Sequence, residues 1–192
     1  MSVKVITGPA VEPISVAEAK AHCRVDHADE DAWFAMAIAS ARLAAEHELG
    51  RKLIEQTCEV VYDAFPPYSL ELPVPRVLAI TSVKYIDTLG TLQTLAPEAY
   101  VLDADTMPGW ALPASGYAWP DTKDTANAVR VRFTAGYGAA ASDVPAAVRQ
   151  WMLMHVGTAH KMRESIAHGV PVAEIPNRYV SALLDGERTW RV

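Results

Sequence analysis

The chain has 192 residues, of which 51% are apolar and 21% are charged, and its formal net charge is -6. This length and composition suit one hydrophobic core and exclude general disorder, although a second small subdomain would also fit. The acidic balance excludes broad, nonspecific DNA binding, because such binding depends on Lys and Arg.

The first predicted elements are two helices. Ser15 stands three residues before Glu18, which predicts a capping box and a helix from about Val16 to Arg24. Acidic residues at 29–31 favour a second helix start, and Gly50 is a typical left-handed stop. The second helix is rich in alanine, so we expect it to pack closely against another helix.

The middle of the chain changes to a period of two, which predicts strands. Asp87 to Gly90 carries the signal of a hairpin turn, and the segment 107–124, rich in Pro, Gly and Trp, is typical of a long loop. The predicted strands cover about 57–62, 70–73, 80–86, 91–95, 100–103 and 128–134.

Asp143 is predicted to cap a third helix, with Pro145 in its first turn, that runs to about residue 164. A short helix over 177–184 and a tail follow. The predicted fold class is therefore α+β: a helical bundle, made of the N-terminal helices and a long helix in the C-terminal half, with a small antiparallel β-rich insertion. We expect one structural domain, in which 1–56 form the N-terminal helices, 57–138 the insertion, and 139–192 the long helix and a docking tail.

No motif predicts catalysis, a cofactor or a metal site. His155 and His160 are five residues apart and point about 140° apart on a helix, rather than along one face. Gly136 and Gly138 fit a turn, since the Gly-Lys-Ser/Thr ending of a phosphate loop is missing. Cys23 and Cys58 are predicted to be buried, reduced thiols. The apolar stretches are shorter than the ~20 residues that cross a bilayer, and we expect neither a signal peptide nor membrane association.

Two aromatic groups are candidates for protein contacts. Trp110, Tyr117 and Trp119 share one loop, where they anchor an interface or fold under as a local cluster. Three residues of the tail place two cations beside a large aromatic ring, which fits a docking segment or a frayed end; they are Arg188, Trp190 and Arg191.

Several segments, taken in order, resemble the tailed-bacteriophage head-tail connector family of adaptor, or head-completion, proteins, found in phages, prophages and gene transfer agents. The matching segments are Glu12–Lys20, Arg24–Asp31, Leu72–Pro75 with Ile80–Asp87 and Gly90, Val131–Gly138, and Val144–Arg149. The resemblance weakens from Ser165 onward.

The resemblance implies a structural virion protein rather than an enzyme. Such proteins form a ring of about twelve copies below the portal and can be monomeric when free. The ring extends the DNA channel, through which DNA passes without specific binding, and supports the stopper or tail. Assembly in the host cytoplasm and a final place at the head-tail interface of the virion are implied as well.

Within this interpretation, we expect Arg188, Trp190 and Arg191 to bind the portal protein. Ring contacts are expected on the second and third helices, including an exposed Ala45; the candidate residues are Trp33, Ala37, Ala41, Ala45, Trp151 and His155. The alternatives are another virion ring protein, either a stopper or a tail terminator, and a small-molecule-binding domain or enzyme that uses the Trp110/Trp119 loop. The last of these would require convergent polar groups.

Overall fold

The computed structural model describes residues 3–162 and 177–188 of the chain. In these ranges the helices are α1 (Val16–Cys23), α2 (Asp31–Leu49), α3 (Ala146–Lys161) and α4 (Asn177–Asp185). The strands are β1 (Val3–Thr7), β2 (Gln56–Tyr62), β3 (Leu70–Leu72), β4 (Val77–Ile86), β5 (Leu92–Thr94), β6 (Tyr100–Asp103), β7 (Gly109–Pro113) and β8 (Val129–Ala135). The chain divides into two compact units: a β unit of residues 1–10 and 55–137, and a helical unit of residues 11–54 and 138–192.

The predicted class of a helical bundle with a small β-rich insertion is wrong. The structure is α+β, with two antiparallel sheets that enclose a hydrophobic core of their own. Neither β1 nor β7 is among the predicted strands, because β1 is an edge strand with no buried residue of its own and β7 lies in a segment whose Pro, Gly and Trp content is typical of a loop. The helix predicted to run to about residue 164 ends at Lys161, and its 16 residues are fewer than the 19 of α2.

The β unit is built from a five-stranded sheet, in the order β1-β2-β8-β4-β5, and a three-stranded sheet, in the order β3-β7-β6. The central strand β8 shows the alternation of a sheet with one buried face: Val131 and Phe133 are fully buried, whereas Arg130 and Arg132 lie on the opposite face. The buried core residues are Cys58, Val60, Leu70, Leu72, Val74, Val77, Val83, Ala111, Val129, Val131, Phe133 and Ala135.

The predicted hairpin is present as β4 and β5. Asp87 closes its turn, because its carboxylate accepts the amides of Leu89 at 3.0 Å and Thr91 at 2.8 Å. A hydrogen bond from the Gln93 side chain, followed by these amides, lowers the pKa of Asp87. Gly90 has a φ of 88°, which L-amino acids with a side chain rarely adopt.

The helical unit begins with the predicted capping box. The Ser15 hydroxyl accepts the amide of Glu18, and the Glu18 carboxylate accepts the amide of Ser15 at 2.7 Å. Gly50 ends α2 in the left-handed conformation, also as predicted. α2 contacts α1 and α3, and α3 contacts α4. The apolar side chains that α2 buries recur at helical spacing; they are Phe34, Ile38, Ala41, Ala45 and Leu49.

The start of α3 differs from the prediction. Asp143 lies in a short 3-10 turn, and its carboxylate accepts the amide of Ala140 at 2.9 Å instead of capping α3. α3 begins at Ala146, directly after Pro145. Gly138 is needed beside this turn, since a Cβ atom there would lie 2.2 Å from Oδ2 of Asp143.

Candidate interaction surfaces

The predicted portal-binding residues are only partly within the described ranges. Arg188 is bound inside the helical unit, with Nη2 3.4 Å from the Glu48 carboxylate and Nη1 3.4 Å from Asp185. Trp190 and Arg191 lie outside the described residues. The neighbouring Glu187 carboxylate is 3.4 Å from the buried guanidinium of Arg51. The start of the tail is therefore anchored to the helical unit by ion pairs.

The six candidate ring-contact residues divide between the core and the surface. Ala41 and Ala45 are fully buried within the helical unit, so the expectation that Ala45 is exposed is wrong. The prediction failed because alanines occupy both the inner and the outer face of α2. The alanine positions alone therefore do not show which face is buried.

The remaining candidates include one pair that the fold brings together. The Trp151 and His155 rings stack on α3, with centroids 5.0 Å apart, and His155 is exposed. Trp33 packs edge-on against His160 at 5.3 Å and is partly buried, as is Ala37. These side chains are thus partly used for packing within the chain.

The outward face of α2 is a further candidate surface, which no sequence motif indicates. Residues 32–41 form ten successive uncharged positions in this helix. Met36 is 65% exposed and Leu43, seven residues further on, is 57% exposed. Since residues seven apart share a helix face, the two side chains form one exposed apolar stripe. The sequence signal for this surface is the long uncharged run, since a helix exposed to solvent ordinarily has a charged face.

The acidic run at the start of α2 is largely engaged in ion pairs. The Asp31 carboxylate is 2.6 Å from Nζ of Lys20, and the Glu30 carboxylate is 2.9 Å from Nε2 of His160. Asp29 lies 3.5 Å from Nδ1 of His27, and its side chain is 91% exposed. Two members of the run therefore fix α2 against α1 and α3, and Asp29 points to solvent.

The three aromatic residues of the predicted loop do not form one cluster, because Trp110 belongs to strand β7 and the other two line a groove. Tyr117 and Trp119 line a groove of about 350 Å³, in which the Trp119 ring stacks on Phe65 with centroids 4.9 Å apart. The Trp119 indole N–H donates to the carbonyl oxygen of Tyr68 at 3.3 Å. Trp110 lies on the outer face of β7, since Ala111 next to it faces the core.

The groove has few polar side chains in its lining. Asp121 is the one charged residue among those that line it, and the other lining residues are mostly proline and aromatic. Elsewhere in the β unit, the Tyr62 hydroxyl donates to the carbonyl oxygen of Glu71. Burial, with a smaller contribution from the Glu71 charge, raises the pKa of Tyr62 to about 12. This tyrosine is a structural donor at neutral pH.

Other reactive groups also have structural surroundings. Cys23 and Cys58 form no disulfide in the described part of the chain, and Cys58 is buried. Partial burial raises the pKa of the Cys23 thiol. Within residues 3–162 and 177–188, no three His, Cys, Asp or Glu side chains are grouped so that they could hold a metal ion. No helix in these ranges is both long and apolar enough to cross a bilayer.

Solved structures match the chain along its full length. A chain in the neck of an empty gene transfer agent (GTA) particle, computed with C6 symmetry, is 25% identical with a TM-score of 0.80, and the match covers 100% of this chain and 97% of that chain. A chain in the neck of a native GTA particle, computed with C12 symmetry, is 25% identical with a TM-score of 0.75 and the same coverage. A chain in the virion of a native GTA particle, 24% identical with a TM-score of 0.76 and the same coverage, shares the fold.

No protein-family model and no curated protein matches the chain in sequence. The likeness to the neck chains confirms the resemblance to the head-tail connector family that the ordered sequence segments indicated.

Proposed function

We propose that this chain is a structural protein of the virion neck in a tailed phage or gene transfer agent, and that its copies form a ring there. The observation that carries the proposal is the likeness to a GTA neck chain over the whole length, with a TM-score of 0.80. The C6 and C12 symmetries of the matching neck structures support a cyclic arrangement.

In its finer form, the proposal makes the chain an adaptor at the head-tail interface. The ring would lie below the portal, extend the DNA channel and support the stopper or tail, after assembly in the host cytoplasm. A net charge of -6 fits a channel protein that DNA passes without specific binding, because carboxylates repel the phosphates.

A structural role also agrees with the chemistry of the surfaces. The Trp119 groove is lined by one charged side chain, Asp121, and lacks the convergent polar groups of a substrate site. The outward stripe of Met36 and Leu43 is typical of a protein contact, since large apolar side chains on a helix surface gain stability when a partner covers them. These features favour assembly over catalysis.

The proposed ring contacts remain on α2 and α3, but the test variant must be chosen from exposed positions. Ala45→Glu would place a charge in the core and unfold the helical unit. Leu43→Glu places the same charge on the outward stripe, where the free chain tolerates it. Loss of rings with Leu43→Glu, alongside a wild-type circular dichroism spectrum, is the expected result, and unchanged rings would exclude this stripe as a contact.

The proposed portal contact is best tested without disturbing the helical unit. A deletion from Asp185 onward would remove Glu187 and so disturb the buried Arg51. A chain that ends at Arg188 keeps the ion pairs of Glu187 and Arg188 but lacks Trp190 and Arg191. We expect this shorter chain to keep its thermal unfolding midpoint and to bind portal rings at least ~10-fold more weakly, a loss of about 1.4 kcal/mol. Equal binding would refute the tail contact.

The decisive experiment is negative-stain electron microscopy of the chain mixed with the portal protein from the same gene cluster, beside each protein alone. A ring of added density directly below the portal is the expected result. Density that appears only when an adaptor is already in place would instead indicate a stopper or tail terminator. A chain that stays monomeric and binds no neck component would overturn the structural function.

A further inference from the structure

The outward face of the five-stranded sheet carries a concentration of positive charge. Strand register places Lys4 opposite Glu59, Glu59 opposite Arg132, and Arg130 opposite Lys84. We call Lys4, Lys84, Arg130 and Arg132 the basic face. The β unit has six Lys and Arg residues in all, and four of them share this face.

The basic face is not neutralised within the described part of the chain. Glu59 pairs with Arg132, with 2.7 Å between Oε2 and Nε. Lys4, Lys84 and Arg130 form no ion pair with any described residue. Arg130 and Lys84 stand directly opposite each other, and like charges in register destabilise an antiparallel sheet. An anionic partner would remove this repulsion.

The helical unit carries an exposed segment of the opposite charge, between α1 and α2. Asp26 is exposed, and its side chain forms no ion pair or hydrogen bond with any residue in the described ranges. The Asp29 side chain is 91% exposed, and its carboxylate is 3.5 Å from Nδ1 of His27. We call Asp26 and Asp29 the acidic connection.

We propose that, in the assembled ring, the basic face of one copy binds the acidic connection of the next copy. This inference rests on the proposed ring function. A cyclic ring needs two different surfaces that complement each other on every copy, and the chain carries such a pair by charge. Opposite charges at a contact also select the partner and fix its register.

A second copy fits the basic face better than DNA does. Proteins that hold duplex DNA through its backbone commonly neutralise six to ten phosphates, or about twice the number of cations on this face. The whole chain is acidic, so a duplex would meet repulsion around the face.

Charge exchange between the two surfaces provides the test. The variant Lys84→Glu/Arg130→Glu reverses the basic face, and Asp26→Lys/Asp29→Lys reverses the acidic connection. Each full-length variant alone would place like charges at every contact between copies. We expect each to self-associate at least ~10-fold more weakly than wild type by sedimentation velocity, and to form no rings on portal templates in negative stain.

Mixing the two variants should restore assembly. In the mixture, each reversed face meets a reversed connection and each native face meets a native connection, provided that the two variants alternate around an even-numbered ring. Restored rings would also show that both variants are folded. Lys123→Glu, a charge reversal at an exposed position of the β unit outside the basic face, is the matched control and should assemble as wild type does.

The outcomes separate this inference from the ring function itself. Wild-type rings that both reversals leave intact would overturn the charge contact and leave the ring function standing. Rings that are lost in each variant and not restored in the mixture would likewise overturn it. Wild-type chains that form no ring with or without the portal would overturn both. Retention of a labelled DNA duplex by the wild type but not by Lys84→Glu/Arg130→Glu, with rings unaffected, would assign the face to DNA instead.

Discussion

The two units of the molecule use their charged residues in opposite ways. In the helical unit, the buried Glu46 is 2.9 Å from Nζ of Lys52 and 3.6 Å from Arg42, and Arg42 reaches Glu12 at 2.8 Å. In the β unit, Lys84 and Arg130 lie side by side on an open sheet face. The comparison teaches that charge fixes the internal geometry of the helical unit, whereas the β unit keeps its charge for the outside and relies on apolar packing.

The largest effect should follow from opening the core of the β unit. Phe133 is fully buried on the central strand, so Phe133→Ala removes a large apolar side chain and leaves a cavity. We expect the free energy of unfolding to fall by about 3–5 kcal/mol in urea titrations. Hydrogen exchange should show the greatest loss of protection in β2, β4 and β8. Thr81→Ala, at an exposed position of β4, is the control, and a similar loss in both variants would contradict the assignment of the core.

The matching change in the helical unit removes a buried charge. Glu46→Ala takes away the carboxylate that Lys52 and Arg42 share and that also accepts the amide of Leu53 at 3.3 Å. The partly buried Lys52 ammonium and the Leu53 amide would then lose their partner. We therefore expect the free energy of unfolding, measured by the same urea titration, to fall by about 3 kcal/mol. Glu48→Ala removes a half-exposed carboxylate from the same helix and should cost less than about 1 kcal/mol. Equal costs would show that charge does not organise this unit.

A smaller effect is expected at the start of α1. Ser15→Ala removes the hydroxyl of the capping box and should cost about 1 kcal/mol. The hydrogen bond from the Ser15 amide, followed by the one from the Ser15 hydroxyl, lowers the pKa of Glu18 below its ordinary value of 4.5. This carboxylate therefore stabilises the fold above pH 4.5 and loses that contribution as the pH falls through its folded pKa. Ser15→Ala removes the hydroxyl bond and keeps the amide bond. In unfolding titrations between pH 7 and pH 3, the free energy of unfolding should therefore fall less steeply with decreasing pH for Ser15→Ala than for wild type. Parallel pH profiles for the variant and wild type would argue against this coupling.

The smallest effect, and the one of opposite sign, concerns the basic face. Arg130→Glu replaces a like-charge pair with a Glu–Lys pair across β8 and β4. We expect the free monomer to gain about 0.5 kcal/mol while its assembly weakens. Thermal unfolding at low salt and at 0.5 M NaCl measures the gain, which salt should reduce. A destabilised monomer would mean that Arg130 has a structural role in the sheet.

Local signals in the sequence predicted individual elements well. The Ser15–Glu18 box, the stop at Gly50 and the Asp87–Gly90 turn depend on neighbours in the chain, and all three are present in the structure. The overall class was not predicted, since strand pairing is set by distant partners: β1 owes its place to β2, and β7 to β3 and β6.

The candidate surfaces show the same limit. The aromatic residues 110, 117 and 119 are neighbours in sequence, but strand alternation puts Trp110 on a different face from the groove. The basic face could not be found from sequence order, because residues 4, 84, 130 and 132 meet only through sheet register. The inward orientation of Ala45 depends likewise on which face of an alanine-rich helix the other helices cover.

The strand order also has a consequence during translation. Of the eight strands in residues 3–162 and 177–188, β8 is the last to leave the ribosome, yet it occupies the centre of the five-stranded sheet between β2 and β4. Until β8 is synthesised, β2 and β4 each have an unpaired edge, and such edges can pair with another nascent chain. The β unit is thus exposed to aggregation with other nascent chains until the synthesis of β8 is complete.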